Sequence, residues 1–285
     1  MAGYTEKYAE IEGTRVCFVE EGEGEPLLFI HGIGGSILNW APQIEYFKSR
    51  NKVIVLDLPG FGKSGCPDIG YTLEDFSSKI RGVLDLCGVS SAHVVGNSLG
   101  GLISIHLALK HPSVVRSLVL VDSAGGVKFP VIVRIVFNRI PPSWQKRVIL
   151  FMASTIAKYR FAYRLTGIYV FNEWTEALLA EARKIAERED LDEYLEAYRR
   201  TAQTVLEVSY GDRLSEINVP TLIIWGQKDM GLPLRIGQKM NKKIKGSYLV
   251  TIPEAAHVSQ LDQPEIFNSA LERFLVGAKA PGGLI

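Results

Sequence analysis

Cysteine is scarce in this sequence, and neither sign of charge dominates. The three cysteines, Cys17, Cys66 and Cys87, are odd in number and far apart, which is typical of neither a metal knuckle nor a closed disulfide framework. The 285 residues carry 32 basic and 31 acidic side chains, a net charge of +1. Such a balance gives no global attraction to nucleic acid or to an anionic membrane. We therefore expect a cytoplasmic protein that does not bind nucleic acid.

Long hydrophobic runs are also missing. The most apolar stretch, residues 129–140, is interrupted by Arg134 and Arg139 and is too short to span a bilayer. Residues 1–12 have no apolar run and do not resemble a secretory signal. We expect no stable membrane insertion. Apolar residues nevertheless make up 47% of the chain, enough for one large core or a core with a subdomain.

Short apolar runs alternate with longer segments of helical period. Six runs have the length and the branched or aromatic content of buried strands: residues 26–30, 52–58, 92–96, 117–121, 221–225 and 247–252. Residues 72–87 predict a helix with Thr72 and Asp75 as a capping pair. Polar–apolar alternation around residues 10–20 predicts an antiparallel hairpin. Together these patterns predict an α/β fold: a mostly parallel sheet of about eight strands with helices on both faces.

Residues 127–212 contain none of the short apolar runs that predict strands, and their pattern predicts helices. Residues 123–172 hold eight basic side chains and no acidic one, whereas residues 173–200 hold nine acidic and five basic side chains. We therefore predict a helical lid at 127–212, inserted into a core formed by residues 1–126 and 213–285.

The segment at 92–101 carries a Gly-x-Ser-x-Gly motif between a predicted strand and a predicted helix. A tight strand-to-helix turn strains the central residue, and the flanking glycines let the neighbouring chain pass closely. Ser98 would then stand at the head of the sheet, beside a helix N-terminus that favours an oxyanion. The motif thus predicts a nucleophilic serine.

A serine nucleophile needs a histidine base and an orienting carboxylate from other loops. Among the five histidines, His257 is the candidate because it follows the last predicted strand. We favour Asp229, which follows the strand at 221–225, as the carboxylate, with Asp122 as its rival. The expected oxyanion donors are the backbone N–H groups of Leu99 and Ile33, with that of Gly34 as the alternative to Ile33.

The order Ser98, Asp229, His257, with the His31-Gly32-Ile33-Gly34-Gly35 loop upstream and the motif at 57–64, resembles the α/β-hydrolase fold family. The resemblance covers roughly residues 8–126 and 213–276. It implies a serine hydrolase with a lid after the sixth strand and no metal or organic cofactor. Haloalkane dehalogenases and epoxide hydrolases place Asp where Ser98 stands, so they fit poorly.

Within the family, the motifs resemble both small-ester carboxylesterases and carbon–carbon hydrolases of ring-fission products. The latter usually carry Gly-Pro-Gly in the oxyanion loop and Trp after the catalytic histidine. This chain has Gly34-Gly35-Ser36 and Val258 at those places. We therefore predict a carboxylesterase that acts on a small-molecule ester through an acyl-enzyme. The alternatives are carbon–carbon hydrolysis of a vinylogous diketone acid and a ligand receptor or signalling module with slow hydrolysis.

The basic stretch from Lys128 to Arg164 allows three interpretations. In the first, the acidic residues at 173–196 pair with its cations, which leaves the apolar side chains to cover the pocket. One arginine, such as Arg134 or Arg139, could instead hold a substrate carboxylate. A third interpretation is docking to an anionic lipid surface.

Overall fold

An eight-stranded sheet lies at the centre of the structure, a computed structural model that describes residues 3–158, 180 and 183–277. The strands are β1 (Glu6–Ile11), β2 (Thr14–Glu21), β3 (Glu25–Ile30), β4 (Asn51–Leu56), β5 (Ala92–Asn97), β6 (Val115–Val121), β7 (Thr221–Gly226) and β8 (Tyr248–Ile252). Their order across the sheet is β1-β2-β4-β3-β5-β6-β7-β8. The pairs β1–β2 and β2–β4 are antiparallel, and the remaining pairs are parallel. The predicted sheet is confirmed.

Helices cover both faces of this sheet. They are α1 (Ala41–Phe47), α2 (Leu73–Leu86), α3 (Leu99–Lys110), α4 (Val131–Arg139), α5 (Pro142–Lys158), α6 (Leu191–Glu207), α7 (Arg235–Lys243), α8 (Ser259–Asp262) and α9 (Pro264–Leu275). Successive side chains of a strand point to opposite faces, so Leu28 and Ile30 join the core under α2 and α3. Leu27 and Phe29 join the second core under α1 and α9. Each face of the sheet is therefore buried by its own layer of helices.

Two local patterns reproduce the sequence prediction closely, and one strand differs. Thr72 caps α2: its Oγ1 accepts a bond from the Asp75 N–H at 3.2 Å, and Asp75 Oδ2 accepts one from the Thr72 N–H at 2.8 Å. The hairpin turns at Glu12 and Gly13, both with positive φ. The strand predicted over 52–58 ends at Leu56, which pairs with Ile30, the last residue of β3; the Asp57 side chain then accepts bonds from the backbone of Ile37 and Lys63.

Between β6 and β7 the described part of the chain is helical. Helices α4 and α5 both pack on α6. Helix α6 in turn reaches the loops at the head of the sheet, where a Cβ atom on Gly60 would come within 2.6 Å of the Ala197 Cβ. Lys158 is the last described residue of α5, and Arg160 and Arg164 lie outside the described residues. Within the described residues, no helix combines the length and apolar character needed to cross a membrane.

Candidate active site

Ser98 stands at the sharp turn between β5 and α3. Its backbone is strained, with φ 55° and ψ −112°. The turn is tight because Gly96 and Gly100 let chains touch: a Cβ on Gly96 would lie 2.2 Å from the Gly100 carbonyl oxygen, and one on Gly100 would lie 2.1 Å from that of Ile30. The side chain of Ser98 therefore projects from the head of the sheet at the start of α3.

The loop after β8 brings His257 to this serine. His257 Nε2 lies 3.0 Å from Ser98 Oγ, and its Nδ1 lies 2.7 Å from Asp229 Oδ2 in the loop after β7. The carboxylate accepts the Nδ1–H, which leaves Nε2 free to accept the hydroxyl proton of Ser98. The Asp229 side chain is fully buried, whereas that of His257 is 18% exposed. The structure thus brings together the three side chains that the sequence singled out.

The surroundings of His257 favour its charged form. Burial by itself would lower the pKa of His257, but the hydrogen bond and negative charge of Asp229 outweigh burial and raise it. The charges of Asp122 and Asp262 act in the same direction. The imidazole is therefore prepared to hold a proton taken from the serine.

Asp122, the rival carboxylate, contacts the backbone instead of the imidazole. Its Oδ1 accepts a bond from the Gly226 N–H at 2.7 Å and its Oδ2 accepts one from the Ser259 N–H at 3.2 Å. It ties the end of β7 to the loop that carries His257. Burial, with the nearby charge of Asp229, raises the pKa of Asp122 to about 8.

The loop after β3 carries Ile33, one of the two expected oxyanion donors, and His31 fixes this loop. His31 Nε2 accepts the Leu58 N–H at 2.9 Å, so its Nδ1 donates to the Gly32 carbonyl at 2.7 Å. Complete burial lowers the pKa of His31 to about 4, which keeps the ring neutral. Within the described residues, the Ile33 and Leu99 N–H groups donate no hydrogen bond, so both can serve a ligand.

Asn97 is a positioning residue that the sequence analysis missed. Its Nδ2 donates to the His257 carbonyl at 3.1 Å and to the Val121 carbonyl at 3.3 Å. It thereby links the strand before the nucleophile to the histidine loop. The available signal was a buried amide at the end of an otherwise apolar strand, directly before Ser98.

Aromatic side chains lie beside the loop after β3, and a cavity lies against the loops after β6 and β7. The Tyr198 ring, on α6, packs against Phe61 and lies beside Gly34, where a Cβ would meet its Cε2 at 3.0 Å. A cavity of about 350 Å³ is lined by residues 123–130, 231–233, 235, 236 and 239. Its walls are mostly apolar, and three exposed cations stand at its edge: Lys128, Arg235 and Lys239. Apolar walls with a basic edge suit an organic anion.

The basic stretch is only partly neutralised by the acidic one. Lys146 pairs with Asp192 at 3.0 Å and with Glu196 at 3.4 Å. Arg139 is exposed, whereas Arg134 is half-buried, and its buried Nε has no hydrogen-bond partner in the part of the chain that the structure describes. Arg134 and Arg139, which the sequence analysis could not distinguish, therefore lie in different environments.

One other group of side chains has the spacing of metal ligands. Within the described residues, ligand atoms of Glu74, His106 and His111 all lie within 4.8 Å of one another. Arg81 already stands beside them, with Nη1 3.1 Å from His111 Nδ1 and 3.6 Å from Glu74 Oε1. The Arg81 guanidinium therefore already gives the Glu74 carboxylate a cationic partner.

The fold and the site define a hydrolase of the α/β type. Residues 25–264 match the family model described as the alpha/beta hydrolase fold. The chain belongs to the alpha/beta hydrolase fold family. The predicted resemblance is confirmed.

Known proteins similar to this chain include carbon–carbon hydrolases and esterases. A 2-hydroxy-6-oxononadienedioate/2-hydroxy-6-oxononatrienedioate hydrolase of Burkholderia vietnamiensis is 30% identical, over 95% of this chain and 96% of that protein. The esterase EaEST of Exiguobacterium antarcticum superimposes with a TM-score of 0.80 and 22% identity, over 95% of this chain and all of the other. Est816, described as an N-acyl homoserine lactone degrading enzyme, gives a TM-score of 0.73 and 26% identity, over 94% of this chain and 100% of that chain.

Proposed function

We propose that this chain is a serine hydrolase in which Ser98 attacks a carbonyl carbon, His257 moves the proton and Asp229 orients the imidazole. The observation that carries the proposal is the continuous contact from Ser98 Oγ to His257 Nε2, at 3.0 Å, and from His257 Nδ1 to Asp229 Oδ2, at 2.7 Å. A serine hydroxyl is a weak nucleophile until such a base takes its proton.

The reaction follows from this geometry. Ser98 Oγ bonds to the carbonyl carbon while its proton passes to His257 Nε2, and the resulting oxyanion accepts bonds from the Leu99 and Ile33 N–H groups. The intermediate then expels its leaving group, which takes the proton from His257. Water, deprotonated by the same imidazole, attacks the acyl-enzyme and restores Ser98.

For the substrate, we favour the class of vinylogous diketone acids over simple esters, which reverses the preference drawn from the sequence motifs. Support comes from the 30% identical relative, which aligns over nearly the whole of both chains and whose named substrate is a dioate. In such a substrate the carbon leaving group departs as an enolate conjugated through a diene, and His257 returns the proton to it.

The basic edge of the cavity is consistent with an acidic substrate. Two residues of the cavity wall are bonded to the proposed triad: the Ala124 N–H donates to the Ser98 carbonyl at 3.0 Å, and the Leu232 N–H donates to Asp229 Oδ1 at 2.8 Å. The cavity wall thus contacts the backbone and carboxylate that hold the triad, although Ser98, Asp229 and His257 do not themselves line it. Lys128, Arg235 and Lys239 at its edge would hold the distal carboxylate.

Arg134 is our candidate for a further contact with an acidic substrate. Its Nε is buried and has no partner among the described residues, and an unpartnered buried donor gains most from a ligand that accepts its hydrogen bond. Replacing Arg134 with Gln should raise KM for a carboxylated substrate by roughly tenfold and leave KM for a neutral ester unchanged. Equal KM changes for both substrates would contradict this role.

Ester hydrolysis is the second candidate, and two features favour it. Val258 follows His257 where carbon–carbon hydrolases usually carry Trp, and Gly34-Gly35-Ser36 replaces their Gly-Pro-Gly. The same side chains would act, with an alcohol as leaving group. A panel of chromogenic esters run beside one ring-fission product, scored by kcat/KM, distinguishes the two substrate classes.

Ser98→Ala tests the hydrolase assignment for either class. The variant should fold and lose roughly 10⁴-fold or more of kcat, because no other group can form the acyl-enzyme. Ser113→Ala, at an exposed serine, is the matched control and should keep wild-type activity. A folded Ser98→Ala enzyme that keeps a large fraction of activity would refute the assignment.

A further inference from the structure

Helices α4 and α5 concentrate the exposed apolar side chains of this protein. Thirteen large apolar side chains are exposed among the described residues, and eight of them lie in these two helices: Val131, Ile132, Val133, Ile135, Val136, Trp144, Val148 and Phe151. Single exposed apolar residues are ordinary, but a contiguous group marks a surface that contacts something other than water.

Five of these apolar residues, together with two arginines, follow one side of each helix. In α4, Ile132 and Val136 are four residues apart and Arg139 follows three later. In α5, Trp144, Val148 and Phe151 repeat at the same spacings, with Arg147 between them. We call these seven residues the α4–α5 face.

The opposite sides of both helices are already occupied. Both helices pack on α6, and Lys146 of α5 reaches Asp192 and Glu196 there. Gln145 donates to the carbonyls of Phe137 and Ile140 and so joins α5 to the end of α4. The α4–α5 face therefore points outward, with Trp144 59% and Phe151 68% exposed.

Basic side chains are interleaved with the apolar ones. Arg139 and Arg147 are exposed, and the Arg147 guanidinium lies 5.7 Å from the centroid of the Trp144 ring. Within the described residues, neither arginine forms an ion pair with a carboxylate. Residues 123–172 contain no acidic residue at all. The chain segment that forms α4 and α5 is therefore basic, although the whole chain carries only +1.

We propose that the α4–α5 face docks on an anionic lipid surface, with Trp144 and Phe151 entering the interface and Arg139 and Arg147 contacting the phosphate groups. Aromatic and aliphatic side chains on one helix face, with arginines among them, are what an interfacial helix presents to a membrane. The helices lie on the surface in this arrangement and do not cross it, since α4 has only nine residues and α5 seventeen.

Charge decides against a second copy of this chain as the occupant. A two-fold contact through this face would place the two arginines of each copy against a surface of the same sign, and like charges across an interface are unfavourable. A bilayer rich in anionic headgroups supplies the complementary charge.

Vesicle flotation of the full chain tests the proposal. The protein should be retained by vesicles rich in phosphatidylglycerol at low salt, far less by phosphatidylcholine vesicles, and be released at high salt. Arg139→Gln with Arg147→Gln should weaken binding by about 25-fold, at about fivefold for each cation. Trp144→Ser with Phe151→Ser should weaken binding by about tenfold or more and keep the salt dependence.

The matched control removes two cations elsewhere. Lys242 lies in the last turn of α7 and Lys245 lies just after it, and both are exposed. Lys242→Gln with Lys245→Gln makes the same change in net charge, and vesicle binding should stay within about twofold of the wild-type value. Equal weakening by this control, or equal retention on both kinds of vesicle, would overturn the proposal. So would a dimer in sedimentation that Trp144→Ser with Phe151→Ser dissociates. Turnover of a soluble substrate, measured on the same samples, separates docking from hydrolysis.

Discussion

Replacing Asp229 with Asn tests which carboxylate orients His257, because the two oxygens of Asp229 accept bonds from two different donors. Oδ2 accepts the His257 Nδ1–H at 2.7 Å, and Oδ1 accepts the Leu232 N–H at 2.8 Å. An amide has one oxygen and one NH2 group, so it can satisfy only one of these donors.

The backbone decides how the new amide is oriented. Turning its NH2 toward Leu232 would leave a buried N–H facing another donor, at a cost of about 1–3 kcal/mol. The oxygen therefore stays with Leu232 and the NH2 faces His257 Nδ1. The imidazole must then carry its proton on Nε2, pointing at Ser98, and cannot accept the serine proton.

We expect Asp229→Asn to lower kcat by about 10³–10⁴-fold. The preferred orientation of the amide, worth about 1–3 kcal/mol, accounts for about 5–150-fold of this loss. The missing negative charge opposite the imidazolium accounts for the remainder. The pKa of His257 should also fall, because the burial that lowers it is no longer outweighed by the Asp229 charge. Since the base must be neutral, the acidic limb of the kcat/KM profile should move to lower pH.

Asp122→Asn is the matched comparison, measured with the same substrate and with thermal unfolding to verify the fold. Its carboxylate holds Gly226 and Ser259 but makes no hydrogen bond to His257, so it should affect stability more than kcat. The reasoning is refuted if folded Asp229→Asn keeps more than about a tenth of wild-type kcat, or if Asp122→Asn loses more activity than Asp229→Asn.

Two further predictions concern the loops that support the site. Burial lowers the pKa of His31 to about 4 from its ordinary value of 6.5, so the unfolded chain takes up the proton first. The free energy of unfolding should therefore fall by about 3 kcal/mol as pH falls from 7 to 4. Urea titrations should show that dependence weaken in His31→Gln; an unchanged slope would contradict it. Gly100→Ala should lower the free energy of unfolding by about 3 kcal/mol or more, because the new Cβ would lie 2.1 Å from the Ile30 carbonyl oxygen. Gly65→Ala is the control and should be tolerated, because the nearest atom to its Cβ lies at 3.6 Å. Equal melting temperatures for the two variants would refute the steric argument.

Features that a few consecutive residues determine were predictable from the sequence. Features that depend on contacts with distant segments of the chain were not. The capping pair of α2 and the strand-to-helix turn at Ser98 are encoded within a few residues, and both were predicted. The end of β4 was predicted two residues late, because the strand stops where its parallel partner, β3, ends at Ile30. The role of Asn97 was missed because its main partner, His257, is 160 residues away.

The sequence by itself determined the strands, the main helices and the three candidate side chains, since hydrophobic period and glycine spacing act over short stretches of chain. Only the tertiary structure decided between the two aspartates: it placed Asp229 against the imidazole and Asp122 against the backbone. It also separated Arg134, with a buried Nε, from the exposed Arg139, five residues later in the same helix. The physical reason is that burial and hydrogen-bond partners depend on which distant segments converge, and a linear pattern does not record that convergence.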